Sequence, residues 1–292
     1  MEKHLLLTVS EKLGSIYSVR FAGQFFSNKK DLKLALLYIA PKPVAVWEEE
    51  ITHESTLQVE KQAKLYEKKG QAALEAAKKE LLKVGFDHKQ IHTKLQIRKF
   101  SKVMDIIQEG EKKGLYEAVV LGPRGLSWLE RAFDYSVSRS LLEKKANFPI
   151  WLCRKPDVDR TNVLLCVDGS KAALRMADHV SFVLSQEQKH GVTVLLIKKK
   201  GAPLKKSEDS IFSSTKEMLT RNGYPESMIS TKMVEASDVT KAILREAVQG
   251  LYAVVGVGRT GAGQGRIRKL FMGSVSDSLF HELEGAALWI CH

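Results

Sequence analysis

The residues with the most chemical promise lie in the second half of the chain. "VDGS" sets Asp168, Gly169 and Ser170 directly behind the apolar run Val163–Val167. A carboxylate at the end of a strand can accept hydrogen bonds from a base or a ribose. Ser170 can cap the helix that follows, and on spacing alone a plain capping turn explains the stretch equally well. Ile197 closes the next apolar run, Val192–Ile197. Its backbone could bond an adenine edge, although spacing alone favours an ordinary core strand residue. Further on, "GVGRTGAGQGRIRKLFMGSVSD" spans Gly256 to Asp277. Glycines let backbone N–H groups approach phosphate oxygens closely. Gly273-Ser274 would open the last helix, whose unpaired N–H groups and positive dipole end attract an anion. Arg259, Arg266 and Lys269 could add charge to such a site, although each alone reads more simply as a solvated surface cation.

Gly256, Gly258 and Gly261 also spell GxGxxG, the dinucleotide fingerprint. That fingerprint needs a βαβ unit behind it and an acidic residue roughly 20 positions on, at the end of the next strand. Only one helix and one strand follow here, so the fingerprint is out of place. There is no GxxxxGK[ST] and no GxSxG. His88 and His92 are the one close histidine pair, without a cysteine or acidic cluster nearby, so no metal is expected there. The three cysteines, Cys153, Cys166 and Cys291, form no CxxC pair, which fits a reducing cytoplasm. Cys166 lies inside a strand and reads as an inert buried thiol.

The elements that must position these residues come twice. "SVSRSLLEKKANFPIWLCR" starts at Ser136 and "SVSDSLFHELEGAALWICH" at Ser274, 138 positions later, and Trp289 follows Trp151 by the same 138. "LLLTVSEKLGS" places Ser10 where "VLLCVDGS" places Asp168, 158 positions on, and Ile39 matches Ile197 at that offset. The period is too long for a solenoid and marks a duplicated domain, with copies at about 1–155 and 160–292 joined by the short polar linker Lys155–Thr161. Strands are expected at Leu5–Val9, Leu34–Ile39, Ile91–Ile97, Ala118–Leu121 and Ile150–Cys153. In the second copy they fall at Val163–Val167, Val192–Ile197, Met228–Met233, Ala253–Val255 and Leu288–Cys291. A long helix from about Glu54 to Val84 buries Leu74, Ala77, Leu81 and Val84, with Gly85 as its C′ residue. Ser101 and Ser237 read as N-caps of a shared helix. Strands alternating with helices imply a parallel α/β sheet covered on both faces.

Each copy resembles a universal stress protein domain, and the pair resembles the two-domain members of that family. The resemblance covers nearly the whole chain and is strongest at "VDGS", "FMGSVSDSL" and "VVLGPRGLSWLERAFDYSVSRSLL". It implies two flavodoxin-like (HUP-type) five-stranded domains. In the ATP-binding members, adenine lies near an Asp after strand one and the end of strand two, and a G-x2-G-x9-G-S/T motif holds the phosphates. In the second copy Asp168, Ile197, Gly273 and Ser274 match, with Ser170 beside them. The loop there is two residues longer: Gly258 and Gly261 fit its front, Gly263 and Gly273 its back. In the first copy Gly122 and Gly125 match, but Tyr135 stands at the third glycine, followed by Ser136, and Ser10 replaces the Asp. The first site, at Ser10, Ile39, Gly122, Gly125 and Ser136, is therefore expected to be degenerate and free of nucleotide, with Tyr135 filling the vacancy.

The resemblance implies a cytoplasmic stress-response or signalling protein whose second domain binds ATP or a related adenine nucleotide, with Mg as an admissible counter-ion. No general base is evident, so catalysis is not expected beyond slow ATP turnover or autophosphorylation. A nucleotide-free scaffold acting by protein contact is the competing reading. The net charge of +12 is spread along the chain, and the densest cluster is Lys198–Lys200 with Lys205 and Lys206. Without interleaved aromatics this reads as a solvated surface rather than a nucleic-acid face. No apolar run approaches the roughly 18 residues of a membrane span. "FPIWLCR" and "ALWICH" end the two copies as short apolar strands whose open edges invite pairing. They are expected to meet across an internal pseudo-two-fold with Trp151 and Trp289 at the contact, which leaves further self-association to other surfaces.

Overall fold

A computed structural model describes residues 2–11, 16–43, 52–112, 116–122, 148–187, 189–204, 206–259 and 274–291. The apolar runs become strands β1 (Lys3–Val9), β2 (Leu32–Ala40), β3 (Ile91–Ile97), β4 (Ala118–Leu121) and β5 (Ile150–Leu152). Then come β6 (Thr161–Val167), β7 (Val192–Lys199), β8 (Ile229–Ala236), β9 (Tyr252–Gly258) and β10 (Ala287–Cys291). The described helices are α1 (Ile16–Phe25), α2 (His53–Lys83), α3 (Lys102–Gly110), α4 (Lys171–Leu184), α5 (Glu208–Thr220), α6 (Val239–Gln249) and α7 (Ser274–Glu282).

All ten described strands join one sheet in the order β3-β2-β1-β4-β5-β10-β9-β6-β7-β8. The order 3-2-1-4-5 on one side is mirrored by 8-7-6-9-10 on the other. Within each half every pairing is parallel. The two meet through one antiparallel pair, β5 with β10: Leu152 faces Leu288, Trp151 faces Trp289 and Ile150 faces Ile290. Trp151 lies opposite its equivalent 138 positions on, and the flanking pairs exchange about it: Ile150 faces Ile290, the equivalent of Leu152, and Leu152 faces Leu288, the equivalent of Ile150, so a local two-fold passes through the tryptophan pair, as the repeated strands foretell.

Alternation along the strands sends side chains into two layers. Leu5 and Leu7 join one with Leu165, Trp151 and Trp289, under Phe21, Phe25, Met176 and Val180 of α1 and α4. Leu6 joins the other with Leu164, Leu152 and Leu288, under Ile106, Ile243 and Leu279 of α3, α6 and α7. Both layers run unbroken across the seam. A polar staple reinforces it: buried Glu187, just past α4, accepts hydrogen bonds from the backbone N–H groups of Ser27 (3.0 Å) and Asn28 (2.9 Å) and from the Ser27 hydroxyl (2.5 Å). Burial lowers the pKa of nearby Lys3, and the Glu187 and Asp31 charges partly offset this.

Several local expectations need correction. Leu74, Ala77 and Leu81 are buried, but Val84 is the C-cap of α2 and is 37% exposed. Gly85 follows it at φ +93, the left-handed conformation that ends the helix. Ser101 caps α3 by accepting from the Met104 N–H at 3.2 Å. Ser237 does not cap α6; Asp238, one position on, accepts from the Lys241 N–H at 3.0 Å. Met228 sits in a short turn before β8, and Thr161 belongs to β6, so the linker ends at Arg160.

Candidate functional site

The chain runs from β6 out to β7 and β8, then returns to the other side of β6 for β9 and β10. The connections therefore part at the carboxyl end of β6, and in open parallel sheets such a switch point is where ligands bind. Asp168 is the first residue beyond β6. The last paired residues of β6 and β7 are Val167 and Leu196, so Asp168 stands level with Ile197. Both are half-buried.

One carboxylate oxygen of Asp168 accepts the Ser170 N–H at 3.0 Å. Gly169 between them takes φ +76, which favours glycine. Ser170 then caps α4 by accepting the Ala173 N–H at 3.1 Å. Ser170 is thus committed to the turn, and Asp168 both shapes the turn and lies at the switch point.

Gly258 ends β9 against the same turn. A β-carbon there would lie 2.7 Å from the Ala173 nitrogen and 2.8 Å from the Ala172 carbonyl carbon. Backbone cannot yield cheaply, so this glycine answers first to the packing of β9 on α4. Arg259 is not a solvated cation. It is 8% exposed, its backbone N–H donates to the Cys291 carbonyl at 2.6 Å, and burial lowers its pKa. Ser274 is the first residue of α7, at the expected helix opening. Gly261, Gly263, Arg266, Lys269 and Gly273 lie outside the described residues.

The first half presents a different surface at the matching place. Val9 pairs with Tyr38, so Ser10 stands level with Ile39. Gly122, directly after β4, is buried. Gly125, Tyr135 and Ser136 lie outside the described residues. Glu11, which sequence reasoning passed over, accepts the Tyr38 hydroxyl at 2.6 Å and lies 3.6 Å from the Lys69 ammonium. Burial and Glu11 together raise the Tyr38 pKa. Burial also lowers the pKa of Lys102 at the start of α3, with the Glu11 charge opposing. The carboxylate one residue past Ser10 in "VSEKLGS" was the readable signal; its partners Tyr38 and Lys69 were not.

Among the described residues no group of three or more His, Cys, Asp or Glu side chains could hold a metal ion. Burial raises the pKa of all three cysteine thiols. No described helix is long and apolar enough to cross a membrane.

No family model and no curated relative matches this sequence. Solved structures do match its fold. A universal stress protein from Archaeoglobus fulgidus DSM 4304 superposes with TM-score 0.66 at 18% identity, covering 99% of this chain and 95% of that one. A functionally unknown protein from Pseudomonas aeruginosa PAO1 matches with TM-score 0.53 at 12% identity, covering 99% and 92%. The chain shares an α/β fold with the Archaeoglobus fulgidus universal stress protein over 99% of its length.

Proposed function

We propose that this chain is a tandem universal-stress-type protein, with domains at 1–155 and 160–292, that binds ATP or a related adenine nucleotide at the carboxyl edge of its second domain. One observation carries the reading: Asp168 directly follows β6 at the switch point, level with Ile197, while the matching first-half positions are Ser10 and Ile39. In this reading the Ile197 backbone meets the adenine edge and the Asp168 carboxylate takes the ribose hydroxyls. The phosphates extend over the loop after Gly258 toward Ser274 and the N-terminus of α7. Gly261, Gly263 and Gly273 belong to that loop by sequence. The first site is degenerate, with the Glu11 network in the place of a ligand-facing carboxylate. The reading assigns no catalytic residue; nucleotide occupancy is the signal, in a cytoplasmic stress or signalling role.

Gly258 favours a second reading. Its lack of a side chain is required by the Ala172–Ala173 backbone whether or not a phosphate is near, which suits a nucleotide-free protein that acts by contact with partners.

Calorimetric titration of ATP separates the two. The nucleotide reading expects saturable binding, weakened by about 1–3 kcal/mol in Asp168→Ala. In Asp168→Asn an amide oxygen can keep the turn to Ser170 while the charge is lost, so binding weakens without loss of stability. Absence of ATP binding to the intact protein rejects the nucleotide reading in favour of the second.

A further inference from the structure

The loop from β3 into α3, residues 98–101, is pinned along its whole length. The Arg98 N–H donates to the Ala40 carbonyl at 2.8 Å. The Lys99 and Phe100 N–H groups donate to the two carboxylate oxygens of Asp105 at 3.0 and 3.3 Å, and Asp105 is fully buried. Ser101 then caps α3. Out of this pinned loop Phe100 projects into solvent. It is 66% exposed, and it is the one exposed aromatic among the described residues. Ile97, the last residue of β3, is 54% exposed three positions earlier.

The fold itself does not require such a loop, as the repeat shows. Ala40 pairs with Ile97, and Lys198, 158 positions beyond Ala40, pairs with Glu235. From Glu235 to the helix cap the second half has Ala236 and Ser237 before Asp238. From Ile97 to its cap the first half has Arg98, Lys99 and Phe100 before Ser101. The first half is one residue longer, and it exchanges a carboxylate and two small side chains for an isoleucine, two cations and a phenylalanine. Arg98 and Lys99 are exposed, as is Lys42 just past β2, the neighbouring strand. The Asp105 carboxylate is committed to backbone N–H groups, so it does not pair with these cations. A lone exposed apolar residue is ordinary. A phenylalanine held outward by a pinned loop and flanked by cations has the composition of a surface that meets an anionic lipid interface. None of residues 97–102 lines the cavities beside α1 and α4. A protrusion of this kind suits a soft lipid surface better than a peptide, which needs a groove to lie in. The net charge of +12 adds longer-range attraction of the right sign.

We propose that the Phe100 loop docks this protein on an anionic phospholipid surface. Phe100 and Ile97 enter the headgroup layer, while Arg98, Lys99 and Lys42 meet the lipid phosphates and carboxylates. Contact is peripheral and reversible, because two apolar side chains and three cations anchor far less firmly than a spanning helix. β3 is the outermost strand of the first half and β6 lies in the second, so docking is independent of the nucleotide reading.

Sedimentation of the full-length protein with vesicles tests this, using an equimolar mixture of phosphatidylcholine and phosphatidylserine against phosphatidylcholine alone. Saturable binding to the mixed vesicles is expected, at least about tenfold tighter than to phosphatidylcholine. Phe100→Ser should weaken it at least about fivefold through the lost apolar contact. Arg98→Glu with Lys99→Glu should weaken it at least about twentyfold. The same reversal at Lys241 and Arg245, exposed on α6 in the second half, should change it less than about threefold, because those cations lie away from the loop. All these side chains are exposed, and unchanged thermal melts establish that the variants fold. Poly-glutamate is the rival probe: binding to it that depends on Phe100, without binding to vesicles, would assign the loop to an acidic protein and overturn the proposal. No binding to the mixed vesicles, binding indifferent to Phe100→Ser, or equal loss from the α6 reversal would each overturn it as well.

Discussion

Trp151 and Trp289 lie face to face, with ring centroids 4.0 Å apart and planes 8° from parallel, and each is the other's partner across the β5–β10 pair. Both are fully buried. They are equivalent in the repeat but not in hydrogen bonding. The Trp151 indole N–H donates to His179 Nε2 at 2.9 Å, whereas the Trp289 indole N–H has no partner among the described residues. At the α1 position that corresponds to His179 stands Phe21.

That asymmetry separates packing from hydrogen bonding. Trp151→Phe and Trp289→Phe remove the same volume from the same stack. Trp151→Phe also strips His179 of its donor and should cost about 1–3 kcal/mol more. Trp289→Phe discards an N–H that was already unpaired. Urea denaturation of the two variants measures the difference, and equal losses would mean that the His179 bond contributes nothing.

The same histidine makes stability depend on pH. Burial depresses the His179 pKa from 6.5 to about 3. The folded chain therefore keeps the ring neutral, while the unfolded chain takes up a proton below about pH 6.5. Stability from this group is complete above pH 6.5 and is lost as the pH falls toward 3, by at most about 1.4 kcal/mol per pH unit. Burial lowers the His190 pKa as well, so it works in the same direction. His179→Phe should flatten the acid limb of a stability–pH curve and leave the His190 share. An unchanged slope would place the proton uptake elsewhere.

Gly258→Ala should destabilise the protein by about 1–3 kcal/mol without any ligand, because the new β-carbon meets the α4 backbone at 2.7 Å and 2.8 Å. The urea midpoint of nucleotide-free protein reports this directly. A variant as stable as the parent would return Gly258 to a role facing the phosphates.

Much of the architecture was legible because the duplication repeats at fixed offsets. The 138-position spacing of the tryptophans already named the pair that meets at the seam. Neighbouring residues with the same capping chemistry were not separable: Ser237 and Asp238 both suit an N-cap, and only the helix start at Val239 decides. Glycine spacing suggested phosphates at Gly258, but sequence cannot name the backbone that crowds a glycine from another element. Arg259 looked like a surface cation for the same reason, since nothing local foretells its burial. The Glu187 bridge was illegible, because Ser27 and Asn28 meet Glu187 only after the halves join.

The central claim is one working nucleotide site per chain, in the second domain. Equilibrium dialysis of ATP against the intact protein measures the number of sites directly. The account predicts one ATP per chain, with binding weakened by Asp168→Ala and unchanged by Ser10→Ala. Two sites per chain, no site, or a single site that withstands Asp168→Ala would contradict it.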